Sequence, residues 1–168
     1  MTCLEQIRRG NVIANEYATT EDFCRTFSEN LNSFYQLSLL LTGDFEKAKE
    51  CFLAGLEDAA KANVFKEKTY SRAKRAIIEN AIHALRPHPG DPSPSVAASL
   101  QRRSAMESLL GLRDFDRFVF VMAVLEHYSA KECSVLLGCS LDEVRASRIR
   151  ALGQLASSLE VLDVSLTK

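Results

Sequence analysis

Few residues in this chain stand where they could do chemistry. His83, His88 and His127 have no cysteine or carboxylate cluster at metal-ligand spacing. Cys3, Cys24, Cys51, Cys133 and Cys139 are odd in number and irregularly spaced, without a Cys-x-x-Cys pair, which argues against disulfides and a zinc site. Cys133 reads as a small core residue, and Cys139, in a turn, as the thiol better placed to react. The seven glycines form no phosphate-cradling loop, and no Ser/His/Asp or Cys/His set is apparent. The expectation is a protein with no catalytic residues, no metal and no cofactor. What remains is a pair of tetrads, Ser129-Ala130-Lys131-Glu132 and Ser140-Leu141-Asp142-Glu143. Each places a Ser hydroxyl where it accepts the amide three residues on, and a Glu that reaches back to the Ser amide, so each opens a helix. Gly138 suits the left-handed position that closes the first helix. Two short helices joined by so tight a turn must cross steeply, which is the outline of a helix-turn-helix able to offer its second helix to a DNA major groove.

The rest of the chain must position that unit. It has 168 residues, 46% hydrophobic and 26% charged, as expected of a soluble globular protein. All four prolines fall in Pro87-His88-Pro89-Gly90-Asp91-Pro92-Ser93-Pro94-Ser95, which excludes a helix and marks a linker over 87–96 between lobes 1–86 and 97–168. Phe23, Phe27, Leu31, Phe34, Leu37 and Leu41 recur at threes and fours and predict one helix from Thr20, ended by Thr42-Gly43-Asp44. Asp44 caps a second, through Ala48, Cys51, Phe52, Leu56 and Ala59; a third runs from about Thr69 to Leu85. Beyond the linker a helix is expected over Val96 to Leu112, another over Phe115 to Glu126 capped by Asp114, and then the helix-turn-helix. Residues 1–18 read as a short helix or an arm, and the apolar tail from Ser157 as an extension of the last helix. No stretch alternates as a strand would. The fold class is all-α, in two helical lobes. There is no leader-like segment and no apolar run long enough for a membrane span, so a cytoplasmic location without membrane contact is expected. Lys and Arg number 21 against 22 Asp and Glu, without the positive footprint of a free-standing DNA binder.

Leu41-Thr42-Gly43-Asp44, the proline linker and an ordered C-terminal set resemble a bacterial extracytoplasmic-function sigma factor. The set is Leu112, Asp116, Arg117, Tyr128, Ser129, Glu132, Leu137, Gly138, Ser140, Val144, Arg150, Ala151 and Leu155. The resemblance spans about Leu31 to Leu155. It implies a sigma region 2-like three-helix lobe that binds RNA polymerase core and melts promoter DNA, and a region 4-like lobe that reads an upstream promoter element. An anti-sigma factor is a further partner it allows. The implied core-binding residues are Glu50, Phe52, Leu53 and Leu56. The implied DNA-binding residues are Ser140, Arg145, Ser147 and Arg150, the arginines because a planar fork grips phosphate or pairs with guanine O6 and N7. Val144, Ala151 and Leu155 would face the core.

The chain departs from the family pattern at the expected chemistry. Leu53 and Ala54 stand where Gln and Glu are usual, Glu79-Asn80 where Arg-Asn is usual, and Ala84 where an Asp is usual. There is no Trp, and a missing stacking platform forfeits about 1–3 kcal/mol per base. Asp142 and Glu143 put negative charge at the end that would enter the groove. Two classes of function follow: a divergent sigma factor that binds polymerase core and promoter DNA, or a sigma-like protein-binding module that no longer initiates transcription.

Overall fold

A computed structural model describes residues 16–91 and 104–163, with side chains as far as Ser158. Residues 1–15 of the short helix or arm expected over 1–18, the Pro92–Ser95 part of the linker, the start of the helix expected from Val96 and the last tail side chains lie outside the described residues. Among those described, the chain is all-helical, with one isolated antiparallel bridge between Tyr17 and Phe65.

The long helix expected from Thr20 is two. Helix α1 (Thr20–Glu29) opens with a box in which the Thr19 hydroxyl accepts from the Asp22 amide and Asp22 accepts from the Thr19 amide. It stops at Asn30, whose backbone leaves the helical region (φ −116°, ψ 20°) and whose amide and Nδ2 both donate to the Thr26 carbonyl, at 3.2 and 2.8 Å. Helix α2 (Leu31–Thr42) ends at Gly43, φ 67°, a left-handed conformation that favours glycine. Asp44 then caps α3 (Phe45–Ala60) by accepting the Lys47 amide at 2.9 Å. A single 3-10 turn leads into α4 (Thr69–Leu85), at the bounds the sequence predicts.

The second half holds α5 (Ala105–Leu110), α6 (Asp114–Phe120), a π turn (Val121–Leu125), α7 (Ala130–Leu137) and α8 (Leu141–Asp163). Arg113, not Asp114, is the residue preceding α6, and it makes no side-chain cap. Where an unbroken helix to Glu126 is expected, the π turn widens the backbone; it closes through the Glu126 amide on the Val121 carbonyl.

The two halves share one core. Phe23, Phe27, Phe34, Leu41, Ile77 and Ile78 belong to the same buried cluster as Phe115, Phe118, Val119, Met122, Cys133 and Val144. Helix α2 packs on α6 and on the π turn, and α4 meets α7. A smaller cluster of Leu109, Leu112 and Ala151 holds α5 against α8, with Leu40 of α2 beside it. The Lys74–Glu126 ion pair bridges α4 to the end of the π turn.

Helices α3 and α4 approach each other closely at Gly55. A Cβ there would lie 2.7 Å from Ile77 Cγ1 and 3.1 Å from the Ile77 backbone. Gly55→Ala is therefore expected to destabilise the fold by about 1–3 kcal/mol, even after the roughly 1 kcal/mol that Ala gains in helix propensity. A urea midpoint equal to or above that of the parent chain would show that the two helices part freely.

Candidate functional site

Helix α7 opens with Ser129 and Glu132 in a reciprocal box, and Gly138, φ 64°, ends it. Ser140 repeats the device for α8: Glu143 accepts from the Ser140 amide at 2.8 Å, and the Ser140 hydroxyl accepts from the Glu143 amide at 3.2 Å. The bonds from the Ser140 amide and hydroxyl hold the Glu143 carboxyl below its ordinary range. The helix-turn-helix outline is present, and its two starts are built as their sequence indicates.

The four residues assigned to DNA lie in different settings. Ser140 is exposed, but its amide and hydroxyl are engaged with Glu143. Arg145 is exposed and bonded to Asp142 at 3.1 Å. Ser147 does not point outward: it is 0% exposed, and its hydroxyl donates to Asp116 Oδ1 at 2.6 Å. Its position explains this correction, since Val144, Ser147 and Ala151 recur on one helix face and all three are buried. Arg150 is turned back to the same carboxylate, Nη2 to Asp116 Oδ1 at 2.9 Å.

Asp116 is the centre of this arrangement. It is 0% exposed and accepts from Ser147 and Arg150 of α8 and from Arg113, the last at 2.6 Å. Burial alone would raise its pKa, but the donated bonds from Arg150, Ser147 and Arg113 outweigh it and hold the carboxyl below its ordinary value of 3.8. The next residue points elsewhere. Arg117, also buried, donates to the carbonyls of Leu41 and Thr42 at the end of α2, and to those of Leu110, the last residue of α5, and Leu112 just after it. Its Nη2 also bonds Asp114 at 2.7 Å.

Comparison with protein-family models, curated proteins and solved structures finds no match to this chain. At about 100° per residue, the line of α8 opposite Val144, Ser147 and Ala151 carries Asp142, Ala146, Ile149 and Gly153, all exposed. Ile149 is 72% exposed, and Arg145, Arg148 and Leu152 flank it. Sequence reasoning missed Ile149 and Leu152 as surface residues, although their offset from Val144 was a readable signal.

The residues assigned to polymerase also divide. Phe52 is buried, edge-on to Phe27 at 5.4 Å and to Tyr35 at 6.3 Å, so it packs the core and offers no contact surface. Leu56 is half-buried against the same core. Glu50 and Leu53 face outward beside Phe45, with Leu53 48% and Phe45 69% exposed. Glu79 is engaged within α4 by Arg72 and Arg75.

Burial raises both thiols of the unit. Burial, reinforced by Glu132, pushes Cys133 up to about 11. Cys139, expected to be exposed in the turn, is half-buried, and burial with Glu143 nearby raises it as well. No cluster of three or more potential metal ligands occurs among the described residues, and no described helix is long and apolar enough to cross a membrane.

Proposed function

We propose that this chain is a sigma-like regulatory module that works by binding protein, with the outer face of α8 as a docking surface. One observation carries the reading. Asp116 holds Ser147 and Arg150, two of the four residues expected to meet DNA, while the outermost line of α8 is Asp142, Ala146, Ile149 and Gly153. A groove-reading helix needs donors and positive charge at that line; an acidic residue, a bare Ile and two small residues suit a protein surface better. The partner class is the transcription machinery that the sequence resemblance implies: a sigma factor, an anti-sigma factor or RNA polymerase core.

The second reading, a divergent sigma factor, draws support from the two capped helices and from Arg145 and Arg148, which remain exposed and could contact phosphate. Duplex binding and core binding separate the two. On the docking reading the pure protein holds duplex DNA no better than the non-specific range of about 1–100 μM at physiological salt. Nanomolar binding to a defined duplex that falls steeply with salt, together with co-elution on polymerase core that a known sigma factor displaces, would restore promoter reading. Core binding without promoter-directed transcription would place polymerase itself among the docking partners.

A further inference from the structure

A cleft of about 470 Å³ opens where α4 meets the turn leading into α7. Small-molecule sites typically measure about 300–1,000 Å³. One wall is cationic. Lys68, at the head of α4, is followed at four and three residues by Arg72 and Arg75, so the three line one side of the helix. The other wall is the stretch from Glu126 to Tyr128, together with Glu132 of α7. Its backbone is unusual: the π turn ends at Leu125, and His127 takes a left-handed φ of 59° that residues other than glycine rarely adopt. Strained backbone of this kind gathers at binding sites.

The carboxylates of the cleft are already engaged. Glu126 pairs with Lys74, and Glu132 accepts from Ser129 in the cap of α7. Glu79 of α4 takes Arg72 Nη1 and Arg75 Nε, at 3.2 and 2.8 Å. With Glu79 counted, the cations Lys68, Arg72, Lys74 and Arg75 still outnumber the carboxylates by four to three. What stays unspent is donor. Among the described residues Lys68 has no ion pair, Arg75 keeps both terminal nitrogens, and Arg72 Nε is buried with no hydrogen-bond partner. A buried orphan donor in a native protein is usually explained by a water, an ion or a ligand. Across the cleft, burial is the main cause that raises the Tyr128 phenol, against the opposing charge of Arg75, so its hydroxyl stays protonated and adds a donor.

We propose that this cleft binds the phosphate group of a small phosphorylated molecule, held between α4 and the turn before α7. Lys68, Arg72 and Arg75 grip the phosphate, the two guanidinium groups through their planar forks. Phosphate suits this donor set better than a carboxylate does, since it brings a charge of about −1.5 to −2 and three acceptor oxygens. Glu126 and Glu132 bound the other side, where a carboxylate accepts from a hydroxyl of the ligand. The site uses no residue of α8 and stands apart from the docking surface of that helix. A ligand held there bridges the two halves of the chain.

Calorimetric titration of the full chain at fixed ionic strength tests this, with inorganic phosphate, ribose 5-phosphate and AMP as probes. At least one binds with a Kd at or below about 1 mM. Lys68→Gln and Arg75→Gln each weaken that binding about tenfold, because each removes a charge-assisted bond. Both residues are exposed, so the melting temperature without ligand stays near that of the parent chain. Lys49→Gln, which removes an exposed cation of α3 outside the cleft, leaves binding unchanged. AMP held more tightly than ribose 5-phosphate identifies a nucleotide as the source of the phosphate, and equal affinity for all three probes identifies free phosphate; either result supports the site. No binding of any probe up to about 10 mM overturns the proposal, as does binding that Lys68→Gln and Arg75→Gln leave unchanged. A single-stranded oligonucleotide that binds where all three probes fail also overturns it, and assigns the cations of α4 to a nucleic-acid strand.

Discussion

Asp116→Asn is expected to destabilise the chain by about 2–4 kcal/mol at neutral pH and to loosen α8 from α6. Asp116 accepts from Ser147, Arg150 and Arg113 with both carboxylate oxygens. Asn keeps the volume but has one acceptor oxygen, and its amide sets two donors among donors. Removing one member of a buried ion pair typically costs about 3–5 kcal/mol. The lower range applies here because Arg150 and Arg113 retain some access to water, with side chains 41% and 21% exposed. The pH dependence carries the same signature. The folded-state pKa of Asp116 lies below the ordinary 3.8, so the carboxylate stabilises the fold fully above the unfolded value and loses that contribution as pH falls through the folded one. Urea unfolding of both proteins from neutral pH downward should show the gap between them constant at first, then closing below about pH 4. A gap that persists unchanged into strong acid would mean that the charge of Asp116 contributes nothing and that the loss is one of shape.

The fold was legible where local rules act alone. Ser129, Gly138 and Ser140 place the helix-turn-helix because capping is a matter of neighbours along the chain. The bounds of α4 follow from its apolar periodicity in the same way. The break at Asn30 is hidden by an uninterrupted apolar stripe, which carries no sign of a side chain that caps the Thr26 carbonyl beside its own amide. At the site, Ser147 was assigned to DNA although it lies three residues after Val144 and four before Ala151, a spacing that already turns it inward. What no spacing could supply was the partner that makes a buried hydroxyl tolerable. Asp116 is distant in sequence, and only the packing of α6 against α8 brings the two together. Phe52 failed in the same manner: an aromatic residue on α3 becomes core or contact surface according to where Phe27 and Tyr35 lie.

Adjacent residues of α6 thus hold different helices. Asp116 fixes α8, while Arg117 fixes the end of α2. The orientation of α8 is consequently tied to the first half of the chain through one short helix. This also gives the Asp-Arg step a structural role that needs neither DNA nor polymerase.

The corresponding loss at Arg117 is expected to be the larger one. Carbonyls in the last turn of a helix have no partner within it, and the negative end of the helix dipole favours a cation there. Arg117 supplies both to α2 through Leu41 and Thr42, at 3.2 and 3.4 Å, while Nη1 reaches Leu112 at 3.3 Å. Gly43, which the left-handed φ of 67° favours, lies beside the guanidinium without a clash. Arg117→Met keeps most of the volume and donates nothing, leaving these buried carbonyls unpaired at an expected cost of about 3–5 kcal/mol. Lys is a poor substitute because an ammonium is a point charge and lacks the planar fork that spans two helix ends. The distinguishing readout is shape. If Arg117 clasps the two halves, Arg117→Met raises the radius of gyration in X-ray scattering at temperatures where helix content is still that of the parent chain, and amide exchange at the end of α2 speeds up before that of α3 and α4. A variant that is less stable but keeps the compact scattering profile until it unfolds as a whole would assign the junction to the shared apolar core of Leu41, Phe115 and Phe118, with Arg117 reduced to a cap on α2.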